Sequence, residues 1–167
     1  ISRITVNPLS CVEHEDCNAC GTGVSRCDRG LCTPVLDNTK PIDPTDGAIG
    51  TWVRIKGCYF GNQRGTVKYG IIEGSWPDPA LCQGGSNWTN TRILSEVPTG
   101  LAIDWKGSLE VKRPDAARVL TPEYTVNTIE RPGLCAVVPN RTTEAQRGIS
   151  EFMLKGNKFG ALRGSSI

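Results

Sequence analysis

The chain has 167 residues, with 19 Lys and Arg against 17 Asp and Glu and a formal charge of +2. That length allows one or two domains, and mixed charge without a basic stripe argues against a nucleic-acid partner. No apolar run is long enough for a membrane span, so no direct membrane insertion is expected of this segment. The sequence opens with Ile1 and shows no signal peptide, so it reads as a mature form or an excised fragment.

The 19 glycines and 11 prolines, with short scattered apolar residues, favour many short strands and turns over helices. Eight cysteines point to an oxidising compartment, hence to an extracellular or cell-surface location. In chain order, residues 1–10 place Ile4 and Val6 on one face of a short strand or a frayed end. Cys11, Cys17, Cys20, Cys27 and Cys32 follow, in a stretch with almost no large apolar residues. Such a stretch needs staples. Disulfides and a zinc site are the two readings, since Cys17-x2-Cys20 and Cys27-x4-Cys32 have tolerable ligand spacing. Exported composition and the odd fifth cysteine favour disulfides, with no metal; sequence alone leaves their connectivity open. Glu13, Glu15 and Asp16 flank His14, the only histidine. They lack the offsets and turn glycine of a calcium loop, and read as a solvated acidic loop.

From residue 33 the texture changes to period-2 alternation, the mark of half-buried strands. Residues 51–57 put Val53 and Ile55 on one face, with Trp52, Arg54 and Lys56 opposite. Residues 66–72 alternate Val67, Tyr69 and Ile71 inward. Residues 91–98 point Ile93 and Val97 one way, 107–113 turn in Leu109 and Val111, and 123–129 turn in Tyr124 and Val126. Gly, Pro, Asn or Asp bounds each run. Several such strands in about 100 residues predict an antiparallel sandwich.

One phrase occurs twice. "KGCYFGNQRG" (56–65) and "KGNKFGALRG" (155–164) agree at six of ten positions. With the copies superposed, Val53 and Ile55 fall on Phe152 and Leu154, so the inward face stays apolar while the outward face varies. A shared fold produces that pattern. A phosphate loop needs G-x4-G-K-[ST] opening a helix. Here Gly57 and Gly61 are spaced G-x3-G and a strand follows. The bland reading is structural: Gly57, Gly61 and Gly65 give a turn its positive φ angles and let Phe60 tuck under the sheet.

Pro44, Gly47, Gly50, Val53, Ile55, Gly57, Phe60 and Gly61, then Trp88, Thr89, Ile93, Val97, Pro98, Gly107, Leu109 and Val111, together resemble the IPT/TIG family of immunoglobulin-like sandwiches. The match covers 33–130. A weaker one covers 132–167 through Pro139, Gly148, Leu154, Gly156, Phe159 and Gly160. The resemblance implies an all-β immunoglobulin-like sandwich over 33–130, after a disulfide-stapled segment over 1–32 and before the truncated start of a second unit over 131–167. Residues after about Gly160 are then expected to lack pairing strands. A cysteine-rich prelude ending C-T-P before such a domain looks like multi-domain bacterial surface proteins. The family supplies a module and no chemistry: its relatives sit in surface receptors, in transcription-factor dimerisation domains and beside catalytic domains of starch-acting enzymes.

Cys58 follows a strand and Cys82 lies in the loop before Trp88. A bridge between them would close a loop of about 25 residues, worth roughly 3 kcal/mol on the entropic model. Cys135 has no obvious partner; Cys11, an external cysteine and no partner at all remain open. Trp88 matches a family core position. Trp52 points away from Val53 and Ile55, which suggests partial exposure to a partner or glycan; packing within the chain, over the neighbouring module or the cysteine segment, is the favoured alternative. Trp76 and Trp105 are the other candidate glycan or protein contacts. No catalytic pair or triad is legible, and no cofactor is called for. Two sequons, Asn87-Trp88-Thr89 and Asn140-Arg141-Thr142, are glycosylation acceptors only in a suitable host. The expected function is a non-catalytic spacer and adhesion module of a larger surface protein, meeting neighbouring domains and an unidentified surface protein or glycan. The alternative is a carbohydrate-binding accessory module using exposed tryptophans.

Overall fold

The alternating runs do become strands. A computed structural model describes residues 9–18, 25–78, 80, 86–138 and 153–159. The early stretch with Ile4 and Val6, Cys20, Cys82, the second sequon and everything from Gly160 on lie outside the described residues.

The first part contains one turn of 3-10 helix, His14–Cys17, and the hairpin β1 (Cys27–Asp28) and β2 (Leu31–Cys32). It buries little besides its own sulfurs, so bridges hold it: Cys11–Cys27 and Cys17–Cys32. Asp16 caps the turn, its Oδ2 accepting the N–H groups of Val12 and Glu13. Those two donors hold its carboxyl below the usual range. His14 is exposed and its Nδ1 accepts the Cys27 N–H at 3.1 Å.

The second part is an antiparallel sandwich of the immunoglobulin-like kind. One sheet centres on β6 (Trp52–Cys58), which pairs with β3 (Val35–Leu36), β4 (Ile42–Asp43) and β9 (Arg92–Glu96). The facing sheet has the order β5 (Asp46–Gly47), β11 (Arg118–Val126), β10 (Lys106–Lys112), β7 (Thr66–Tyr69), β8 (Ile72–Glu73). Its one parallel pairing is β5 with β11. Inward residues of both sheets form one core, with Val53, Ile55 and Ile93 facing Val67, Leu109 and Val126. Each such side chain contributes about 1.5–3 kcal/mol of burial. At its centre Tyr69 and Tyr124 meet edge to face with centroids 6.0 Å apart, and burial pushes both phenols up, so they stay neutral.

Two expectations need correction. Ile71 was expected inward but is 96% exposed. The strand stops at Tyr69, and Gly70 at φ 64° starts the turn that swings Ile71 out. The glycine phrase also works differently. Gly61 does have positive φ, at 76°, but the other left-handed residue of the turn is Tyr59 at 61°. Gly57 and Gly65 serve close approach instead: a Cβ on Gly57 would strike the Val35 carbonyl, and one on Gly65 the Lys112 carbonyl. Phe60 does pass under the sheet, since that Gly57 Cβ would lie 2.7 Å from its ring.

After the sandwich, β12 (Gly133–Val138) and β13 (Met153–Asn157) pair as an antiparallel hairpin.

Candidate functional site

The sandwich has two ends, and a flanking part is seated at each. At the Cys58 end of β6, Cys58 and Tyr59 pack with Cys11, Cys17 and Cys32. Arg113, at the end of β10, locks this seam. Its Nη1 donates to the Cys32 carbonyl at 2.7 Å and to the Tyr59 carbonyl at 2.6 Å. Its Nε and Nη2 clamp the two oxygens of Asp115. The guanidinium holds the Asp115 carboxyl below its usual range. One buried cation therefore stitches the cysteine-rich segment, the Phe60 turn and the β10–β11 turn. Sequence reasoning passed over Arg113, because a lone arginine after a strand has no local signature.

At the other end of β6 sits β12. Trp52 is 4% exposed there, packed with Leu94 and Cys135. A Cβ on Gly133 would come within 2.5 Å of the indole, and the Trp52 Nε1 donates to Glu96 at 3.1 Å. The partial exposure suggested for Trp52 is thus overturned, and the favoured packing within the chain, over a neighbouring part, is what is observed. Its outward face is covered by the following hairpin, so the ring has no open surface for a sugar or an external protein. Beside it, Arg131 grips Asp46 through both carboxylate oxygens at 2.6 and 2.8 Å, while its Nε donates to the Asp46 carbonyl at 2.9 Å. The Arg131 guanidinium holds the Asp46 carboxyl below its usual range. Arg54 donates to the Leu134 carbonyl at 3.1 Å and Lys158 to the Ile49 carbonyl at 2.8 Å.

Trp76 is half-buried, edge-on to Trp88 with centroids 6.0 Å apart and with Arg64 over its ring at 5.3 Å. Trp105 is half-buried between Gly70 and Gly107, tilted against Tyr69. Trp88 is core, and its Nε1 donates to the Phe60 carbonyl at 3.0 Å. Asn87 is buried too, donating to the Pro77 carbonyl at 2.7 Å, so the first sequon is closed to a glycan in the folded chain.

The sulfurs of Cys11, Cys17 and Cys32 lie within 4.8 Å of one another, but each is in a disulfide and offers no thiolate to a metal. Cys58 and Cys135 are disulfide-bonded as well. Pairing of Cys135 with Cys11 is excluded by the Cys11–Cys27 bridge, and a free Cys135 by its own bond. Cys82, the expected partner of Cys58, lies outside the described residues. Two clefts among the described residues fall at the seams: one of 360 Å³ beside Phe60, Arg113 and Asp115, another of 430 Å³ beside Trp52, Arg54 and Glu130. In the first, the one lining carboxylate among the described residues is Asp115, already clamped by Arg113.

No family model and no curated protein matches the chain. Among solved structures it is similar to part of a γ-CGTase from the alkalophilic Bacillus clarkii, at 19% identity and a TM-score of 0.45 over 59% of this chain and 13% of that one. It is also similar to part of a putative phosphatase from Bacteroides thetaiotaomicron, at 19% identity and a TM-score of 0.33 over 62% of this chain and 21% of that one. The chain thus spans less than a quarter of either protein.

Proposed function

We propose that this chain is a non-catalytic, extracellular structural module, an IPT/TIG-like sandwich that acts as a spacer and adhesion domain within a larger surface protein. One observation carries the reading: the preceding and following segments are seated at opposite ends of β6. The cysteine-rich part packs at Cys58 and the next hairpin at Trp52. Six residues of strand separate those positions, about 20 Å at 3.3 Å per residue. A module whose entry and exit lie at opposite poles adds length each time it is repeated.

Both seams are built to transmit load. Arg113 fixes one through three backbone or carboxylate partners, and Arg131, Trp52 and Lys158 fix the other. Disulfides support an oxidising location, and no helix among the described residues is long and apolar enough to cross a membrane.

Backbone 15N relaxation tests the spacer reading. One rotational correlation time is expected for β1–β2, the sandwich and β12. Separate, faster tumbling of either flank refutes it. The carbohydrate-binding alternative narrows to Trp76 and Trp105, the tryptophans that are half-buried where Trp52 and Trp88 are buried. Binding on a glycan array, lost on Trp76→Ala or Trp105→Ala without loss of folding, would replace the spacer reading.

A further inference from the structure

The second glycine phrase repeats the first in its contacts as well as its letters. Leu36 pairs with Gly57 and Val35 with Cys58; Leu134 pairs with Gly156 and Gly133 with Asn157. Ile42 opposite Ile55 is matched by Val137 opposite Leu154. A Cβ on Gly156 would strike the Gly133 carbonyl and lie 2.7 Å from the Phe159 ring, as one on Gly57 would strike Val35 and lie 2.7 Å from Phe60. Two residues beyond each glycine, Tyr59 and Lys158 have φ of 61° and 55°. Only burial differs. Ile55 and Phe60 are 0% exposed, whereas Leu154 is 56% and Phe159 46% exposed. The backbone device that seats a phenylalanine under a sheet is present, and the layer that should cover it is not among the described residues.

We propose that the Leu134, Leu154 and Phe159 face is half of a second sandwich core, and that its occupant is the facing sheet of that sandwich, supplied by polypeptide following Phe159. This deepens the spacer reading, on which it rests. The first unit specifies the occupant. There β7, β10 and β11 supply alternating apolar side chains against Ile55. Trp88, 28 positions from Phe60, stands edge-on to that ring at 6.4 Å and donates to its carbonyl. Asn90 then accepts the Gly61 N–H at 3.0 Å. The occupant therefore carries a tryptophan about 28 residues beyond Phe159, with an amide side chain two positions later.

A second copy of the chain fits less well. Ile55 has a ladder partner on each side, Ile42 and Ile93. Among the described residues, β13 pairs with β12 alone. A second unit supplies both the missing ladder strand and the facing sheet, whereas another copy's hairpin has the same two needs itself.

The test compares this 167-residue chain with the parent polypeptide extended by one further unit, about 100 residues. The 167-residue chain is expected to bind 8-anilinonaphthalene-1-sulfonate, and to lose that binding on Leu154→Ser with Phe159→Ser. The extended chain is expected to bind none, with amide exchange at Leu154–Asn157 slowed on the order of 100-fold. A parent reading frame without the tryptophan-bearing stretch overturns the proposal. So does dye binding that persists in the extended chain, or a concentration-dependent dimer of the extended chain that the double substitution abolishes. Each of those outcomes leaves the spacer reading standing, because its relaxation test concerns the two seams of the first unit.

Discussion

Replacing Arg113 by methionine gives the sharpest test of how the cysteine-rich segment is held. Methionine keeps most of the volume of the buried stem and removes every donor. The Cys32 and Tyr59 carbonyls, which Arg113 reaches at 2.7 and 2.6 Å, are left without that partner in a buried seam. A buried acceptor that loses such a hydrogen bond costs about 1–3 kcal/mol. Asp115 is one-third exposed and rehydrates, so its loss adds little. Against this stands the relief of no longer burying a guanidinium. The net expected cost is about 3 kcal/mol, a shift of about 2 M in the urea midpoint of the oxidised chain for a slope near 1.5 kcal/mol per M. Intrinsic tryptophan fluorescence reads the transition. Acid adds a second readout. The Asp115 carboxyl is depressed in the folded chain, so its contribution is present above its unfolded pKa of about 3.9 and is lost as pH falls through the lower folded value. The substituted chain should lose that part of its acid sensitivity and keep the part due to Asp46. A cost under about 0.5 kcal/mol with an unchanged acid profile would refute the reasoning, since surface substitutions have effects of that size.

Gly57→Ala should destabilise the sandwich by about 3 kcal/mol, because the added methyl meets the Val35 backbone and the Phe60 ring. Gly156→Ala meets the same obstacle but should leave the main thermal transition within about 2 °C, since β13 lies outside the first core; differential scanning calorimetry separates the two outcomes. Non-reducing peptide mapping should recover Cys11–Cys27 and Cys17–Cys32, and should place Cys58 and Cys135 in different bridges. Cys135 packs at the Trp52 end of β6, about 20 Å of strand from Cys58, well beyond the 4.4–6.8 Å Cα separation of a disulfide. After expression in a glycosylating host, the folded fraction should carry Asn87 unmodified by intact-mass analysis, because a glycan on that amide is incompatible with its buried bond to the Pro77 carbonyl.

The strands were readable because each depends on a local rule. Val53 with Ile55, Leu109 with Val111, and Tyr124 with Val126 each alternate within one short window, and burial of one sheet face dictates that alternation. Ile71 broke the rule because one glycine at positive φ outweighs one apolar side chain. The seams were unreadable for the opposite reason. Arg113 meets the Cys32 carbonyl 81 positions away and Arg131 meets Asp46 across 85. No window of sequence holds both ends of such a contact, and one of the partners is a bare backbone carbonyl with no side-chain identity to recognise.

Trp52 shows where pattern and chemistry pull apart. Its phase on β6 correctly put it opposite Val53 and Ile55, on the outside of its own sheet. Outside one module is not outside the chain: Gly133 is glycine at the place where the indole lies against the next hairpin, and any side chain there would collide with it. The same argument applies with reversed sign to Leu154 and Phe159. Their phase and their glycine put them on the inside of a sheet, yet they stand open. A polar-looking position that is covered and an apolar position that is bare are both set by what lies beyond the residue's own sheet: Gly133 covers Trp52, while Leu154 is 56% exposed. Gly133→Ser is therefore a substitution at a junction, and should loosen β12 from the sandwich. Faster amide exchange in β12 with an unchanged sandwich transition is the expected result; a lowered sandwich transition would show that Trp52 belongs to the core of its own unit.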